Sequence, residues 1–271
     1  MKINLIIIFV LFIFVTASCA SISESRIHGV QIIDLKSESK HLLFYGSRHC
    51  NDKSDPMFKD IEKYFSTTNP QIVLVEGYMN KNEYENSDMA ILDGESAYVS
   101  YLAQKQNIPL DTVEPSLEEQ YKRLLSKYDK EKVLSMYILR QLYQYQNKQG
   151  ESPKSIHELL TRFVSGMMQK GFPLSESQTK FEYIRGLLKQ YINIEIDESN
   201  WTKLDVYSVV YKKGSEINDI YKEVYIARNE FLVSTIEKNL NEYDRIFIIM
   251  GSQHVIDEKN EINQIFSKYK K

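Results

Sequence analysis

Two apolar segments far apart in the chain end in the same pattern, Gly-Ser-x-His. The first is HLLFYG at 41–46, followed by Ser-Arg-His, and the second is RIFIIMG at 245–251, followed by Ser-Gln-His. Such apolar runs are typical of parallel strands that are covered on both faces. Because ligands bind beyond the carboxyl ends of these strands, where glycine lets the backbone turn sharply, we expect both histidines at one crevice.

Three more segments have the composition of strands, and helix-length segments lie between successive parallel strands. The strands are predicted at 29–35, 71–77 and 108–115, and the intervening helices at 56–66 and 94–107. The strand at 29–35 can pair with the strand at 41–46 through the turn KSESK. The alternation of strand and helix predicts β-α-β units with parallel pairing.

Residues 116–200 differ from their surroundings because they are helical in period and contain no strong strand signal. A long helix is predicted at 215–241 and a final helix near 258–269. The predicted fold class is α/β, with a mostly parallel central sheet flanked by helices. We interpret 21–271 as a single domain in which 116–200 form an α-helical insertion that acts as a cap.

The first twenty residues have the layout of a secretory signal peptide, with a basic start, an apolar run and small residues after it. The run is shorter than the ~20 residues of a spanning helix, so an uncleaved anchor is the second interpretation. TASC resembles a bacterial lipobox that would lipidate Cys19, although Thr16 stands where leucine is usual. Cleavage after Ala20 would instead remove Cys19. Both routes predict an exported protein, either lipid-anchored at a membrane surface or secreted.

Composition narrows the class of partner. The formal net charge is -3 and the sequence has no Lys/Arg tract, so neither nucleic-acid binding nor a polybasic membrane patch is expected. After processing only Cys50 is certain to remain, so no internal disulfide framework is predicted. We expect a small-molecule or peptide substrate, with membrane association through a lipid anchor or the signal segment.

Two acidic residues also stand at strand ends. Glu76 follows IVLV and Glu114 follows IPLDTV. A buried carboxylate there needs a cation, although a single acid often caps a loop or faces water. Arg228 falls inside the apolar stripe of the predicted long helix, where an arginine needs a carboxylate or an anionic ligand. Glu76 or Glu114 is the expected partner, and a purely structural ion pair is the alternative.

Two other residues carry weaker signals. Glu95 lies in the first turn of a predicted helix, where an acid favours the helix dipole without any function, so it is left out of the predicted site. Cys50 directly follows His49, and adjacent residues of an extended backbone point in opposite directions. A Cys–His nucleophile is therefore not expected.

Together these motifs resemble the TIKI/TraB/GumN/erythromycin-esterase/ChaN superfamily, whose hallmark is two G-x-x-H motifs with a glutamate and an arginine. The matching stretches are GSRH, VEG, VEP, ARNEF and IFIIMGSQH, in that order over 40–255. The similarity is greatest to bacterial TraB/GumN or TIKI-like members. Glu114 fits a strand-end acid that is often seen in the family. By position, the family residues are Gly46, His49, Glu76, Arg228, Gly251 and His254.

The resemblance implies an extracytoplasmic hydrolase, in one form a divalent-metal-dependent peptidase. His49, Glu114 and His254 would then hold Mn, Co, Zn or Fe and leave a position for water. Glu76 would be the general base, and Arg228 would orient it or stabilise an oxyanion. A metal-free esterase would use the same residues with His49 as the base.

Binding without catalysis is the second hypothesis. The resemblance extends to ChaN-like lipoproteins, which implies haem or metal binding as the alternative to hydrolysis. A superfamily with such varied members predicts the fold better than the activity.

Overall fold

The computed structural model describes residues 22–24, 27–77, 84–146 and 155–270. The predicted signal peptide and Cys19 lie outside these ranges. Within them, the strands form one sheet in the order β1-β2-β3-β6-β4-β5. The strands are β1 (Ile22–Glu24), β2 (Gln31–Lys36), β3 (His41–Ser47), β4 (Ile72–Val75), β5 (Leu110–Thr112) and β6 (Arg245–Gly251).

Helices cover both faces of the sheet and form the insertion. None of the helices in the described ranges is both long and apolar enough to cross a membrane. Short 3₁₀ turns lie at Glu176–Thr179 and Trp201–Lys203. The α-helices are α1 (Pro56–Thr68), α2 (Ser87–Leu92), α3 (Glu95–Lys105), α4 (Leu117–Leu125), α5 (Lys130–Gln146), α6 (Ile156–Gln169), α7 (Phe181–Ile192), α8 (Val206–Val210), α9 (Glu216–Glu242) and α10 (Ser252–Ser267).

The central strands pair in parallel, as the sequence predicts. Strand β6 lies between β3 and β4 and is parallel to both, and β4 is parallel to β5. The strands β1 and β2 extend one edge in antiparallel pairing. The α/β fold with a mostly parallel sheet flanked by helices is therefore confirmed.

The two Gly-Ser-x-His patterns end on neighbouring strands. Gly46 of β3 is opposite Met250, and Ser47 is opposite Gly251 at the end of β6. The two patterns are thus offset by one residue at the carboxyl edge of the sheet. This register explains how segments so distant in sequence reach the same place.

Side chains on the two faces of the sheet enter separate apolar cores. On one face, Leu43 and Phe247 pack with residues of α1 and α3. On the other face, Leu42 and Ile248 pack with residues of α9 and α10. Each fully buried side chain of this size contributes roughly 1.5–3 kcal/mol, so a sheet buried on both faces is strongly favoured.

The helical insertion has a third core of its own. Residues of α4, α5, α6, α7 and α8 pack together with the first half of α9. Helix α8, which lies beyond residue 200, also belongs to this core through Val206 and Val210. No strand interrupts the described residues between Leu117 and Val210, in agreement with the helical period of the sequence.

Helix α9 belongs to two cores. Ile217, Ile220 and Val224 lie in the core of the insertion. Leu232 and Ile236, farther along the same helix, lie in the core beneath the sheet. Arg228 therefore occupies the short interval between the cores, where the helix passes the edge of the sheet.

Two predicted boundaries were wrong. The final helix starts at Ser252 instead of near 258, because the chain enters α10 directly from β6 with Gly251 as its N-cap. His254 consequently lies in the first turn of a helix and not in a loop. Strand β5 is shorter than the predicted 108–115, because only Leu110–Thr112 pair with β4.

Gly46 is required by close packing. A Cβ atom at this position would lie 2.6 Å from Val255 Cγ2, 2.8 Å from Ser252 Cα and 2.9 Å from the carbonyl oxygen of Gln31. Two of these neighbours are backbone atoms that cannot rotate away. The missing side chain lets the first turn of α10, which carries His254, lie directly against β3.

The substitution Gly46→Ala is expected to lower the free energy of unfolding by about 1–3 kcal/mol, because it overpacks this contact. Urea unfolding followed by circular dichroism measures the change. Gly186→Ala is the matched control, since an added Cβ in α7 meets no atom within 4 Å. That control is expected to be neutral or slightly stabilising. Equal stability of Gly46→Ala and the wild type would contradict the close approach.

Candidate functional site

Arg228 joins the two strand-end glutamates. Its Nε donates to both carboxylate oxygens of Glu114, each at 2.8 Å. Its Nη2 donates to Glu76 Oε1 at 2.5 Å and also to Glu114. The sequence left open which glutamate pairs with the arginine, and the structure shows that both do. Arg228 thus binds the Glu114 carboxylate in a bidentate way and the Glu76 carboxylate through one further hydrogen bond.

These three charges are largely removed from water. The Arg228 side chain is 12% exposed and that of Glu114 is 8% exposed. Burial opposes the charged guanidinium, but Glu114 and Glu76 outweigh it and raise the pKa of Arg228. Burial raises the pKa of the Glu114 carboxyl, and Arg228 only partly opposes that rise. Such a group is stable only while all its partners are present.

Glu76 also connects two strands of the sheet. Its Oε2 accepts a hydrogen bond from the backbone N–H of Gly251 at 2.7 Å. Its own backbone N–H donates to the carbonyl of Ile249 at 2.9 Å. Both carboxylate oxygens of Glu76 are therefore occupied, one by Arg228 and one by the start of α10.

His49 is oriented by Glu95, which the sequence analysis had set aside. The Nδ1 atom of His49 lies 2.7 Å from Glu95 Oε1. Ser47 Oγ donates to the same oxygen at 2.6 Å, and the Cys50 backbone N–H donates to Oε2 at 3.3 Å. Glu95 is 5% exposed. Glu95 is thus a buried acceptor for three donors of one turn, a contact that its place at a helix start did not predict.

The turn that Glu95 holds has an unusual backbone. His49 has a φ of 54°, in the left-handed region that residues other than glycine adopt rarely and at some cost. The hydrogen bonds of Ser47, His49 and Cys50 to one carboxylate offset this cost. They fix the direction of the imidazole before any ligand is present.

The hydrogen bond sets the charge of this pair. The bond to Glu95, partly opposed by burial, raises the pKa of His49 above its usual 6.5. Burial favours the neutral carboxyl of Glu95, but the bonds from His49 and Ser47 outweigh it and lower its pKa. Because the ionised carboxylate only accepts, Nδ1 of His49 carries a proton, and Nε2 of the neutral imidazole has the lone pair.

The Nε2 atom of His49 lies above the end of β6. A Cβ atom placed on Gly251 would be 3.1 Å from Nε2 and 3.7 Å from Glu76 Oε2. The His49 side chain is 68% exposed, so a ligand can reach it from solvent. Gly251 thus provides the space in which the imidazole sits beside the buried charges.

His254 has the opposite environment. It is 4% exposed, and the ring of Tyr225 stacks on it with centroids 4.7 Å apart. Its Nδ1 is hydrogen-bonded to Oδ1 of Asn229, whose Nδ2 donates to Glu258 Oε1 at 2.5 Å. Since Glu258 can only accept there, Oδ1 of Asn229 accepts from Nδ1–H of His254. Burial, with the charge of Arg228, lowers the pKa of His254 to about 4.

The two histidines are therefore different chemical groups at neutral pH. His254 is a neutral imidazole with its lone pair on Nε2. His49 titrates above the usual value and is stabilised as a cation by Glu95. Paired groups whose surroundings shift their pKa values apart are typical of acid–base sites.

The donors predicted to bind a metal do not form a set in this arrangement. Both oxygens of Glu114 accept hydrogen bonds from Arg228. Among the residues that the structure describes, no three His, Cys, Asp or Glu side chains are placed to hold a metal ion. In this arrangement His49, Glu114 and His254 do not form the predicted metal site. Binding of a metal or of haem stays a prediction.

Cys50 and Arg48 face a different acid. Cys50 Sγ lies 3.4 Å from Asp55 Oδ2, and Arg48 is paired with the same carboxylate. Burial, together with Asp55, raises the pKa of the Cys50 thiol, although hydrogen bonding from the Asp52 backbone opposes it. A thiol with a raised pKa is a poor nucleophile, in line with the sequence analysis.

Sequence reasoning missed three residues of the site. Glu95 was identified only as a helix-start acid, and Asn229 and Tyr225 were not considered. Tyr225 and Asn229 are four residues apart on α9, so they share one face of the helix, and both are hydrogen-bonded to residues of α10. The sequence ARNEF contains Asn229 directly beside Arg228, which is the one local signal that pointed to it.

Neither family models, nor curated proteins, nor solved structures give a match to this chain. The resemblance to the TIKI/TraB superfamily consequently rests on the five motifs alone and stays a prediction.

Proposed function

We propose that the protein is a hydrolase that cleaves an ester or peptide bond with His49 as its general base. The observation that carries the proposal is the hydrogen bond of 2.7 Å between His49 Nδ1 and the buried Glu95 carboxylate. It leaves Nε2 of His49 accessible beside a buried arginine. The general base and its orienting carboxylate are the first two components that hydrolysis of an acyl group needs.

Water is the nucleophile in the proposed reaction. His49 Nε2 removes a proton from water as the oxygen attacks the substrate carbonyl carbon. The resulting imidazolium is stabilised by Glu95. The tetrahedral intermediate then expels its leaving group, which takes the proton from Nε2 of His49. Water is thus divided between the acyl product and the leaving group.

Arg228 and His254 supply the polar surroundings. The hydrogen bonds of Arg228 within the described residues use Nε and Nη2, so its Nη1 group remains to donate to a developing oxyanion. A donor fixed by two carboxylates needs no reorganisation during the reaction. His254 stays neutral, and its Nε2 accepts a hydrogen bond from water or substrate.

The site favours the metal-free form of the expected hydrolase. Glu114 is committed to Arg228 through both oxygens, and Glu76 is committed to Arg228 and Gly251. Because the oxygens of both glutamates already accept hydrogen bonds, the base in the proposal is His49. We also propose that the protein is exported, because its first twenty residues have the pattern of a signal peptide.

The dependence of the rate on pH tests the proposal. Because the neutral form of His49 is the base, hydrolysis is expected to increase with pH through an apparent pKa above 6.5. Glu95→Gln removes the charge that favours the imidazolium, so the acid limb moves to lower pH. The plateau rate is expected to fall about tenfold or more, because the imidazole loses its anionic partner.

The measurement uses chromogenic esters and a peptide library with the purified protein. Nuclear magnetic resonance titration of the His49 ring in both proteins gives the pKa shift without any substrate. Glu62→Gln is a control, since Glu62 accepts from Tyr98 in the sheet core and does not contact the site. Absence of hydrolysis of both substrate classes, or an acid limb unaffected by Glu95→Gln, would reject the proposal.

A further inference from the structure

The helical insertion contains a cavity of its own. Its volume is about 340 Å³, and it lies between α4, α5 and α6. Small-molecule sites typically have volumes of about 300–1,000 Å³, so the cavity is large enough for a compact ligand. None of the residues assigned to the candidate site above lines it.

Several of the described side chains that line this cavity are cationic. The lining includes Arg140, Arg162 and Lys170, and no Asp or Glu among the described residues. Arg140 and Arg162 take part in no hydrogen bond or ion pair with the described part of the chain. Elsewhere in the insertion, by contrast, Arg123 is paired with Glu223 and Glu230. Like charges such as those of Arg140 and Arg162 repel one another, and an anionic ligand between them relieves this cost.

The remaining walls are aromatic, apolar and amide side chains. Tyr121 and Phe163 line the cavity together with Met167 and the polar Gln141. Tyr121 makes an edge-to-face contact with Tyr137, which also lines the cavity, with ring centroids 5.5 Å apart. Apolar walls with a few convergent polar groups favour an organic ligand over a free inorganic ion.

Arg140 also approaches the candidate site. Burial raises the pKa of Glu114, and after Arg228 and Glu76 the charge of Arg140 still acts on this carboxyl from the insertion side. Leu117, three residues after Glu114, lines the cavity. The cavity therefore begins where the strand-end site meets the insertion.

We propose that this cavity is a binding site for an organic anion, a carboxylate with an aromatic body. The carboxylate binds Arg140 and Arg162, and the aromatic ring lies against Tyr121 and Phe163. Arginine suits this role because its planar guanidinium binds a carboxylate with two hydrogen bonds. This proposal does not depend on the proposed hydrolysis, and binding to the cavity can be measured without any reaction.

Isothermal titration calorimetry with naphthalene-2-carboxylate tests the proposal. Saturable binding at one site per chain is expected. Arg162→Gln is expected to weaken it about tenfold, or about 1.4 kcal/mol. Gly166→Leu is expected to abolish it, because Gly166 lines the cavity in α6 and an added Cβ there meets no atom within 4 Å. The new side chain therefore fills the cavity without disturbing the helix.

Two matched variants separate this effect from general changes. Arg185→Gln removes an arginine that lines a separate cavity containing Glu182, Glu195 and Asp197. Gly186→Leu adds the same side chain to α7, where the space is also free. Both are expected to bind the probe as the wild type does.

Several results of the titration would overturn the proposal. One is the absence of saturable binding up to about 10 mM of the carboxylate, a concentration at which even millimolar affinity is detected. Another is equal affinity for the neutral naphthalene-2-carboxamide, which lacks the anionic group. Affinity left unchanged by Arg162→Gln or by Gly166→Leu also overturns it. Hydrolytic activity plays no part in any of these results.

Discussion

Arg228→Met is expected to destabilise the folded protein by about 3–5 kcal/mol, because it leaves buried carboxylates without their cation. Glu114 would lose every hydrogen bond that its oxygens accept from the guanidinium, and Glu76 would keep only the bond from Gly251. Methionine has about the right length to fill the space, so the loss is mainly electrostatic. Urea unfolding at neutral pH measures the change.

The electrostatic cause has two further consequences. Adding Glu114→Gln to Arg228→Met is expected to recover part of the stability, because the second substitution removes the uncompensated charge. The deficit of the single variant is also expected to shrink as pH falls. Without Arg228 the folded-state pKa of the Glu114 carboxyl rises further, so the folded variant takes up a proton that stabilises it.

Arg123→Met is the control for the loss of an arginine. Arg123 is paired with Glu223 and Glu230 near the surface. Glu223 keeps its pair with Lys127 when Arg123 is lost, and the exposed pair with Glu230 contributes about 1 kcal/mol or less. If Arg228→Met were no more destabilising than Arg123→Met, the Arg228 cluster would not hold the strand ends together as described.

His49→Ala is expected to reduce the rate of hydrolysis about 10²–10⁴-fold, because it removes the proposed base. Its effect on stability is expected to be much smaller, since the imidazole is largely exposed and Glu95 keeps its bonds from Ser47 and Cys50. Initial rates on the best ester or peptide substrate, with unfolding curves in parallel, measure both effects. Added imidazole is expected to restore part of the activity by entering the space left by the ring.

His157→Ala provides the matched control. His157 is half-exposed in the insertion, where its ring stacks on Phe181 at a centroid distance of 3.7 Å. Because His157 does not contact the strand-end site, the rate of hydrolysis by His157→Ala is expected to equal that of the wild type. A rate for His49→Ala within about twofold of the wild type would exclude His49 as the base, because a general base contributes far more.

The sheet could be predicted because its strands carry an unmixed signal. β3 and β6 are apolar along their length, and both are buried from their second residue onward. The helix at 216–242 agrees with the predicted 215–241 because its apolar stripe continues through both cores. The position of Arg228 inside that stripe predicted correctly that it would contact strand-end glutamates.

Local sequence could not reveal contacts that form only after the sheet has assembled. Glu95 is 46 positions from His49 in the sequence. It also lies in the first turn of α3, where the helix dipole already explains the presence of an acid. The start of α10 was missed for a similar reason. Gly251 as N-cap makes no side-chain capping hydrogen bond, so the usual start signal of a helix is absent there.

The metal site stays a prediction, and residue types with a family resemblance are all that the sequence offers for it. Two histidines and a glutamate at strand ends have the right chemistry for a divalent ion. The sequence does not show that an arginine from a distant helix already occupies the oxygens of Glu114. Which cation neutralises a buried acid is decided by tertiary structure.

One helix shared by two cores has a consequence for folding. If the far end of α9 loses its place under the sheet, the near end loses the partner that buries Ile217 and Ile220 in the insertion. We therefore expect the insertion and the sheet to unfold in a single cooperative transition. The strand-end charges lie at the midpoint of this shared helix, so native hydrogen exchange near them reports the global stability of the chain.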